Sequence, residues 1–480
     1  MKPLITFSLA LTFTSTLFAQ EPVDIGTRLE LFVDDLLIGE MKDTNRKLHS
    51  PTLLKSSGKA RPFGHYATVL KSEAGYQLYY RGDAIPGMHW KKDGWGPYHA
   101  NEVTEYAESK DGYNWTEPNL GLYEYPGMPE GNVIVSGEFL ITHNFTPFID
   151  NRPGVPKEQR YKAIGGGKYP EDSWALWSEK DTRAKLREKH GPGGLYGFVS
   201  PDGIHWKRIQ QEAIISEKEG NFDSQNVAFW SEAEEQYVAF FRILHKGLRS
   251  IRKSTSKDFL SWTEPVMMEA NQPGEHLYTN GTHPYFRAPH IYIALPTRFQ
   301  ANRAAITDVV FMSTRPGSTR YDRPFKEAFI RPGLGEGGWG NRSNYAALNI
   351  VPTSKDEMSI YMYGGGHYTL RTDGFISVNA GYDEGEFITK PFIFGGDELV
   401  INSATSAAGM IRVEIQDAAG KAIEGFTLED SAKIWGDAVS RAVKWSKSAD
   451  ISSLAGMPVK LRFVMNEADI YSIQFPKASE

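Results

Sequence analysis

The 480-residue sequence contains no cysteine. This absence excludes a disulfide framework, a thiolate zinc site and a cysteine nucleophile. The histidines form neither a His-x-His pair nor an HExxH pattern, so the sequence predicts no bound metal and no cofactor. The formal net charge of -6 argues against a general role at nucleic acids or membrane surfaces, both of which attract basic chains.

Long apolar runs are missing beyond the first 20 residues. At the start, Lys2 is followed by an acid-free apolar stretch from Leu4 to Phe18, with Ala19 as a candidate cleavage point. This pattern predicts a signal peptide over residues 1–19, whose apolar run is too short to span a bilayer. We therefore expect a secreted or periplasmic bacterial protein without membrane insertion, stabilised by its core alone.

Helical periodicity is also scarce, apart from a charged stretch at 177–191 that predicts a short surface helix. A short phrase recurs instead: Ser-x-Asp-Gly-x-x-Trp at 109–115 and 200–206, and Ser-x-Asp-x-x-x-Trp at 256–262. Asp-Gly between alternating apolar runs indicates a tight turn, because glycine accepts a positive φ. The tryptophan is expected to fold over the hairpin.

Degraded copies of the phrase follow at 313–321 and 371–375. Five returns of one hairpin predict an all-β chain with a five-bladed β-propeller over residues 20–375. Cleaner alternation with glycine turns then predicts a C-terminal β-sandwich over residues 376–480.

The innermost strands of a propeller begin near its axis, so polar residues at their starts are expected to meet in a central funnel. The stretch 27–38 predicts a strand in which only one of two adjacent acids can face inward, because successive side chains alternate. An acid also opens the apolar strand near residue 227, and another precedes the fourth blade. The predicted catalytic acids are Asp34, Asp35, Asp223 and Glu275.

The same argument selects side chains for binding a substrate. Arginines follow the second strands of several blades, where they can either tie blades to carbonyls or bind an anionic group. The predicted binding residues are His65, Arg81, Gln225, Asn226, Arg242, His276, Arg298 and Arg342. Further candidates at strand starts are His143 and His283, whereas Asp150 stands in a turn-like context.

An N-terminal acidic strand, five such hairpins and a C-terminal sandwich together resemble the five-bladed propeller glycosidases, the arabinanase/levansucrase/invertase superfamily. The layout is most similar to glycoside hydrolase family 32, although "FVDDLL" stands where that family has Asn-Asp-Pro-Asn-Gly. The resemblance implies that Asp34 or Asp35 is the nucleophile or base. It also implies that Asp223 orients the substrate and that Glu275 is the acid/base.

Glycosidic hydrolysis requires two carboxyl groups across one bond. We therefore expect an exported glycoside hydrolase acting on a plant or algal carbohydrate, and the arginines favour a uronate-bearing or sulfated one. Two alternatives stay open. In a propeller glycoside phosphorylase, the arginines would hold phosphate and one carboxylate would suffice. In a carbohydrate-binding propeller, there would be no catalysis.

Overall fold

The computed structural model describes residues 21–54, 63–83, 102–124, 131–137, 140–168, 188, 191–334, 337–446 and 448–477. The predicted signal peptide lies outside these residues, as does nearly all of the predicted helix at 177–191. Within the described ranges, no helix has the length and apolar character needed to cross a membrane. The described helices are short 3-10 turns at Lys157–Gln159, Gly337–Trp339 and Ser452–Leu454.

Antiparallel sheets form the first three blades. Blade 1 contains Thr68–Ser72, Gly75–Asp83, Glu102–Ser109, Trp115–Thr116 and Val133–Val135. Blade 2 contains Thr146–Ile149, Tyr161–Gly167, Gly194–Ser200, Lys207–Arg208 and Ile215–Ser216. Blade 3 contains Val227–Ser231, Gln236–His245, Leu248–Ser256 and Val266–Met267.

Blades 4 and 5 depart from this regular pattern. Blade 4 is split into two three-stranded sheets, because its strands are interrupted near Pro296 and Val310. Its strands are His276–Leu277, His283–Tyr285, Ala288–Ala294, Thr297–Gln300, Ile306–Val309 and Met312–Thr314. Blade 5 joins Val351–Pro352, Glu357–Met362 and Gly366–Arg371 to the N-terminal strand Thr52–Leu53.

The innermost strands close a ring. Those of blades 1 and 2, 2 and 3, 3 and 4, and 5 and 1 lie side by side. Thr68 and Leu348 form a parallel bridge between blades 1 and 5. The Ile350 N–H donates to His283 Nε2 across blades 5 and 4, at 3.1 Å. The predicted five-bladed propeller is therefore confirmed.

The remaining strands form the sandwich around a single apolar core. They are Val23–Gly26, Glu30–Leu31, Ile38–Lys42, Thr44–Leu48, Ile376–Ala380, Gly385–Thr389, Phe392–Phe394, Val400–Asp417, Asp437–Ala442 and Pro458–Gln474. Strands within residues 23–48, which we assigned to the propeller, therefore belong to the sandwich. Their alternation predicted strands, but the partner strands lie more than 300 residues later in the sequence.

The stretch 27–38 is not the continuous strand that we predicted, because residues 32–37 form bends. Asp34 Oδ1 accepts the Leu36 N–H at 2.9 Å. An aspartate that bonds the backbone two residues ahead favours a turn over a strand ladder. The turn therefore ends the strand before the two acids.

The recurring phrase folds the same way in its three intact copies. In the second copy, the Ser200 hydroxyl donates to Asp202 Oδ1 at 3.0 Å and accepts the Gly203 N–H at 2.9 Å. The turn residue has φ of 80° at Gly112, 81° at Gly203 and 69° at Phe259. Glycine adopts this conformation without steric cost, whereas phenylalanine is strained there.

This turn also contacts the preceding blade. A Cβ added at Gly203 would lie 2.4 Å from the hydroxyl oxygen of Tyr79 in blade 1. Phe259, by contrast, packs its ring against Phe148 of blade 2, with ring centroids 5.7 Å apart. The Trp206 indole N–H donates to the Gly203 carbonyl at 2.9 Å, as expected for a ring folded over the hairpin. The hairpins thus join one blade to the next.

Candidate active site

Residues just ahead of the innermost strands of all five blades meet at the axis. The contacting rings run from Tyr66 of blade 1 to His143 of blade 2, with centroids 5.3 Å apart. Tyr66 also contacts Tyr345 of blade 5 at 6.0 Å, and Tyr345 contacts Tyr278 of blade 4 at 5.7 Å. Asp223 of blade 3 contacts His143 at 3.2 Å. We call this group and the arginines around it the funnel cluster.

Asp223 presents the half-exposed carboxylate of the funnel cluster. Its side chain is 55% exposed, and its two oxygens contact one residue of blade 2 and one residue of blade 3. Oδ1 lies 3.2 Å from His143 Nε2, and Oδ2 lies 3.2 Å from Arg242 Nη2. Both partners are buried. The carboxylate is therefore held by buried cationic groups while one side faces the funnel.

Buried amides fix the loop that carries Asp223. The Asn226 side chain donates to the carbonyls of Phe222 and Ser224, at 3.0 and 2.9 Å. Asn144 of blade 2 donates to the same two carbonyls, at 2.5 and 2.9 Å. The loop is bound on both sides of Asp223, so the position of its carboxylate is set by two blades.

Gln225 and Asn226, which we predicted to bind substrate, are buried and bonded to the backbone. The Gln225 amide donates to the Tyr66 and Ala67 carbonyls of blade 1, at 3.1 and 2.9 Å. The Gln225 amide therefore joins blade 3 to blade 1, whereas the Asn226 amide holds the loop of its own blade. Their polarity at a strand start was correctly noticed, but it satisfies carbonyls in the interior.

Glu102 and Arg81 of blade 1 lie behind His143. Glu102 Oε2 is 2.8 Å from His143 Nδ1, and Glu102 Oε1 is 3.3 Å from Arg81 Nη1. Arg81 Nη2 also lies 3.1 Å from Nδ1 of His65. The His65 ring stacks on Tyr363 at 3.8 Å, and both residues are partly exposed. Glu102 was missed in the sequence, because it differs in no local way from other strand acids.

Three guanidinium groups surround the ring of Tyr278. Those of Arg242, Arg249 and Arg342 lie 5.2, 5.0 and 5.6 Å from its centroid. Arg249 and Arg342 also approach the Phe299 ring, at 4.8 and 5.9 Å. Each distance is within the range of a cation–π contact.

Arg249 was not among the predicted binding residues, although a signal was available. Arg242 pairs with Ile251 across the hairpin of blade 3. Directly paired residues share a face, so Arg249, two residues before Ile251, lies diagonally on the same face as Arg242. Cross-strand register would have placed both arginines at the funnel end of the blade.

Positive charge is concentrated in this cluster. Burial and the nearby Arg242 guanidinium lower the pKa of Arg249. Burial also acts to lower the pKa of Arg242, but the Asp223 carboxylate outweighs it, so the pKa of Arg242 is raised. Arg242 Nη1 is buried and has no hydrogen-bond partner within the described residues. The carboxylate of Asp223 stabilises a group of cations that repel each other.

Asp34 and Asp35 do not belong to the funnel cluster. Asp34 is buried, and its Oδ2 accepts from Arg315 Nε at 2.6 Å, beside Glu30. Asp35 has a 65% exposed side chain that pairs with Arg46 at 2.8 Å. Both acids lie where the N-terminal segment meets blade 4, because Ser313 donates to the Val33 carbonyl there. We therefore withdraw them as catalytic candidates.

Glu275 is sequestered by a bidentate ion pair. Its oxygens accept from Arg323 Nη1 and Nη2 at 2.6 and 2.9 Å, and both side chains are buried. Arg298 forms a similar pair with Asp308, at 2.9 and 2.6 Å. Fully paired groups of this kind serve packing, so the acid/base role expected for Glu275 and the binding role of Arg298 are not supported by the geometry.

Of the remaining candidates, only His276 lies beside the funnel cluster. Its Nδ1 accepts the Arg249 N–H at 3.2 Å. His283 and Asp150 are fully or almost fully buried. Asp150 pairs with Lys162 at 2.6 Å and accepts from the Tyr237 hydroxyl at 2.7 Å, which joins blades 2 and 3. In the described part of the chain, no group of three or more histidines and acids is arranged to hold a metal ion.

No protein-family model matches the chain, and no curated protein matches it. Among solved structures it is similar to a glycoside hydrolase family 43 arabinoxylan arabinofuranohydrolase from Bacillus subtilis, at 14% identity over 87% of this chain and 96% of that chain, with a TM-score of 0.39. It is also similar to a beta-1,2-mannobiose phosphorylase from Listeria innocua, at 12% identity over 68% and 97%, with a TM-score of 0.42.

A third similar structure is the family 32 beta-fructofuranosidase of Bombyx mori, at 10% identity over 94% of this chain and 95% of that chain, with a TM-score of 0.37. The first and third of these structures belong to glycoside hydrolase families 43 and 32. Similarity at this level does not decide an activity.

Proposed function

We propose that the protein is a glycan-processing enzyme, a glycoside hydrolase whose active site is the funnel cluster around Asp223. The observation that carries this proposal is the half-exposed Asp223 carboxylate, held between His143 and Arg242. A buried guanidinium beside a carboxylate favours the ionised form of that carboxylate. An ionised carboxylate at the base of a funnel can act as the base or the nucleophile in glycosidic cleavage.

The surroundings of Asp223 suit a sugar. The stacked rings of His65 and Tyr363 offer a flat aromatic surface beside the arginines. Aromatic faces bind the apolar face of a sugar ring, and hydrogen-bond donors around them bind its hydroxyl groups. These features support a carbohydrate substrate.

The charge balance supports a sugar that carries an anionic substituent. The funnel cluster contains four guanidinium groups, from Arg81, Arg242, Arg249 and Arg342, and two carboxylates, of which Glu102 pairs with Arg81 and Asp223 with Arg242. Guanidinium groups bind carboxylate and sulfate oxygens through paired hydrogen bonds. We therefore propose a uronate-bearing or sulfated plant or algal glycan as the substrate.

A second candidate is a glycoside phosphorylase. The withdrawal of Asp34, Asp35 and Glu275 favours it, because a phosphorylase uses phosphate as the nucleophile and needs only one carboxyl group. Arginines would then hold inorganic phosphate. We also propose, from the pattern at residues 1–19, that the protein is exported. The mass of the N-terminal peptide, measured on protein from a periplasmic or culture fraction, tests whether residues 1–19 are removed.

A digestion screen tests the proposed function. The purified protein is incubated with uronate-bearing, sulfated and neutral glycans, each with and without inorganic phosphate, and new reducing ends and sugar phosphates are measured. Asp223→Asn, purified in the same way, tests whether the activity depends on the funnel cluster. New reducing ends without phosphate support a hydrolase, whereas sugar phosphates formed only with phosphate support a phosphorylase.

Two outcomes would overturn the proposal. One is full activity in Asp223→Asn, which would remove the site. The other is binding of a glycan in the funnel without turnover under any condition, which would leave a carbohydrate-binding propeller.

A further inference from the structure

The imidazole of His143 lies between two carboxylates. Its Nδ1 is 2.8 Å from Glu102 Oε2, and its Nε2 is 3.2 Å from Asp223 Oδ1. Both His143 and Glu102 are buried, whereas Asp223 is half-exposed. The chain of contacts therefore runs from the interior of blade 1, through blade 2, to the carboxylate at the funnel surface.

Two arginines and one aromatic ring also lie near His143 or its carboxylate partners. Arg81 Nη1 lies 2.8 Å from His143 Nδ1 and pairs with Glu102. The Tyr66 ring meets the imidazole edge-on at 5.3 Å. Arg242 binds the other oxygen of Asp223. Glu102 and Arg81 thus lie at Nδ1, whereas Asp223 lies at Nε2 and has Arg242 on its other oxygen.

The carboxylate contacts at both ring nitrogens fit the protonated imidazolium. A protonated imidazolium donates from both nitrogens, one to each carboxylate. A neutral imidazole has a single N–H, so it would leave either Glu102 Oε2 or Asp223 Oδ1 facing an unprotonated ring nitrogen. Burial acts to lower the pKa of His143, but the Glu102 charge and the hydrogen bonds to Asp223 and Glu102 outweigh burial and Arg81, so its pKa is raised.

We propose that Glu102 and His143 are positioning residues for Asp223. Glu102 orients the imidazole so that its Nε2–H donates to Asp223 Oδ1, and this hydrogen bond keeps the Asp223 carboxylate ionised and directed into the funnel. The inference rests on the proposed function only for the statement that Asp223 carries the chemistry. A carboxylate behind a histidine sets the orientation and tautomer of the ring, as in the best-known hydrolytic triads.

Histidine titration by NMR tests this arrangement without any substrate. The full chain is labelled with ¹³C-histidine, and the His143 signal is identified by its loss in His143→Gln. We expect the titration midpoint of His143 to fall by about one pH unit or more in Glu102→Gln and in Asp223→Asn, because each variant removes a facing negative charge. Glu108→Gln is the control, since Glu108 is an exposed acid on the same strand.

An unchanged His143 midpoint in Asp223→Asn would overturn the proposal, as would an unchanged midpoint in a folded Glu102→Gln protein. Asp223 is half-exposed, so its variant is expected to fold even where Glu102→Gln does not. A midpoint shift without turnover of any glycan would support the arrangement while the proposed hydrolase fails. Turnover of a glycan without a midpoint shift would support the proposed function and overturn the positioning role of Glu102 and His143.

Once a substrate is known, the pH dependence of kcat/KM provides a second test. A histidine with a raised pKa is protonated at low pH and loses its proton as the pH rises through that pKa. Removal of the Glu102 charge lowers the pKa, so the high-pH limb of kcat/KM should move to lower pH in Glu102→Gln. A purely structural role of Glu102 would lower the thermal midpoint and leave the shape of the profile unchanged.

Discussion

Two clusters of buried charge in this protein have similar residues and different surroundings. The first is the funnel cluster, where Asp223 is 55% exposed. The second, which we call the interface cluster, consists of Glu30, Asp34, His290 and Arg315, where the N-terminal segment meets blade 4. Glu30 is completely buried, and its oxygens contact Arg315 at 2.8 Å and His290 at 2.9 Å.

The balance of charge separates the two clusters. In the interface cluster, Glu30 and Asp34 are both buried and share Arg315. Glu30 also contacts His290, and the exposed Arg28 lies 3.8 Å from it. In the funnel cluster, four guanidinium groups accompany two carboxylates, and Arg242 Nη1 has no partner within the described residues. A balanced, buried cluster holds parts of the fold together. An open cluster with excess charge is suited to a ligand of opposite charge.

The two degraded copies of the recurring phrase contact the sandwich and the N-terminal segment. Arg315 in the copy at 313–321 pairs with Glu30 and Asp34. Asp373 in the copy at 371–375 accepts from Asn402 and Ser472 of the sandwich, at 3.0 and 2.7 Å. Those hairpins thus bind the sandwich with charged and polar side chains. The three intact copies keep the Ser-Asp turn.

The largest expected effect is on activity. Asp223→Asn should lower kcat by about 10³-fold, because it removes the ionised carboxylate of the proposed site. The thermal midpoint should fall less than in Asp34→Ala, because Asp223 pairs with the buried Arg242 but is itself half-exposed. Rate measurements on the substrate found in the digestion screen, with a thermal melt of each protein, check this. A rate within threefold of the wild type would erase the distinction between the clusters.

In the interface cluster the effect should fall on stability. Asp34→Ala leaves Arg315 and Glu30 with a broken buried network, which should cost about 3–5 kcal/mol in the free energy of unfolding. The neighbouring Asp35→Ala is the matched control, because Asp35 is exposed and its pair with Arg46 should contribute less than about 1 kcal/mol. Chemical denaturation measures both. Equal losses in the two variants would contradict the assignment of Asp34 as a structural residue.

A buried histidine without a carboxylate should respond to pH in the opposite sense to His143. Burial lowers the pKa of His283 to about 4. Between the ordinary value and that pKa, the unfolded state binds the additional proton, so stability is lost as the pH falls. Relative to His283→Gln, the free energy of unfolding of the wild type should fall by about 3 kcal/mol over this pH range. Denaturation curves at several pH values check this, and parallel curves for the two proteins would refute it.

The smallest effect concerns recognition of the anionic substituent. Arg249→Ala should weaken binding of an anionic glycan about tenfold, which corresponds to about 1.4 kcal/mol. It should also make the affinity less dependent on salt, because one charge contact is lost. Arg320→Ala, which removes a 65% exposed guanidinium elsewhere on blade 4, is the control. Titration calorimetry at two salt concentrations measures both. An unchanged affinity would argue against an anionic ligand at Tyr278.

Several features followed from the sequence because their causes are local. The Ser-Asp turn is completed within seven residues, so its repetition predicted the blades. Arg81 and Arg242 stand at strand ends that repeat with the blades, so their approach to the axis was predictable from the period of the strands. Asp223 was identified because a strand that serves only packing would begin with apolar residues, whereas this one begins with a polar run.

Only the tertiary structure decided what each carboxylate does. Asp34 and Asp223 look alike in sequence, yet the partner of Asp34 is Arg315, 281 residues away. Glu275 meets Arg323 over a separation of 48 residues, and Glu102 meets His143 over 41. A carboxylate becomes structural or reactive through its burial and through the charges beside it. Both depend on contacts between segments distant in the chain, which no local pattern records.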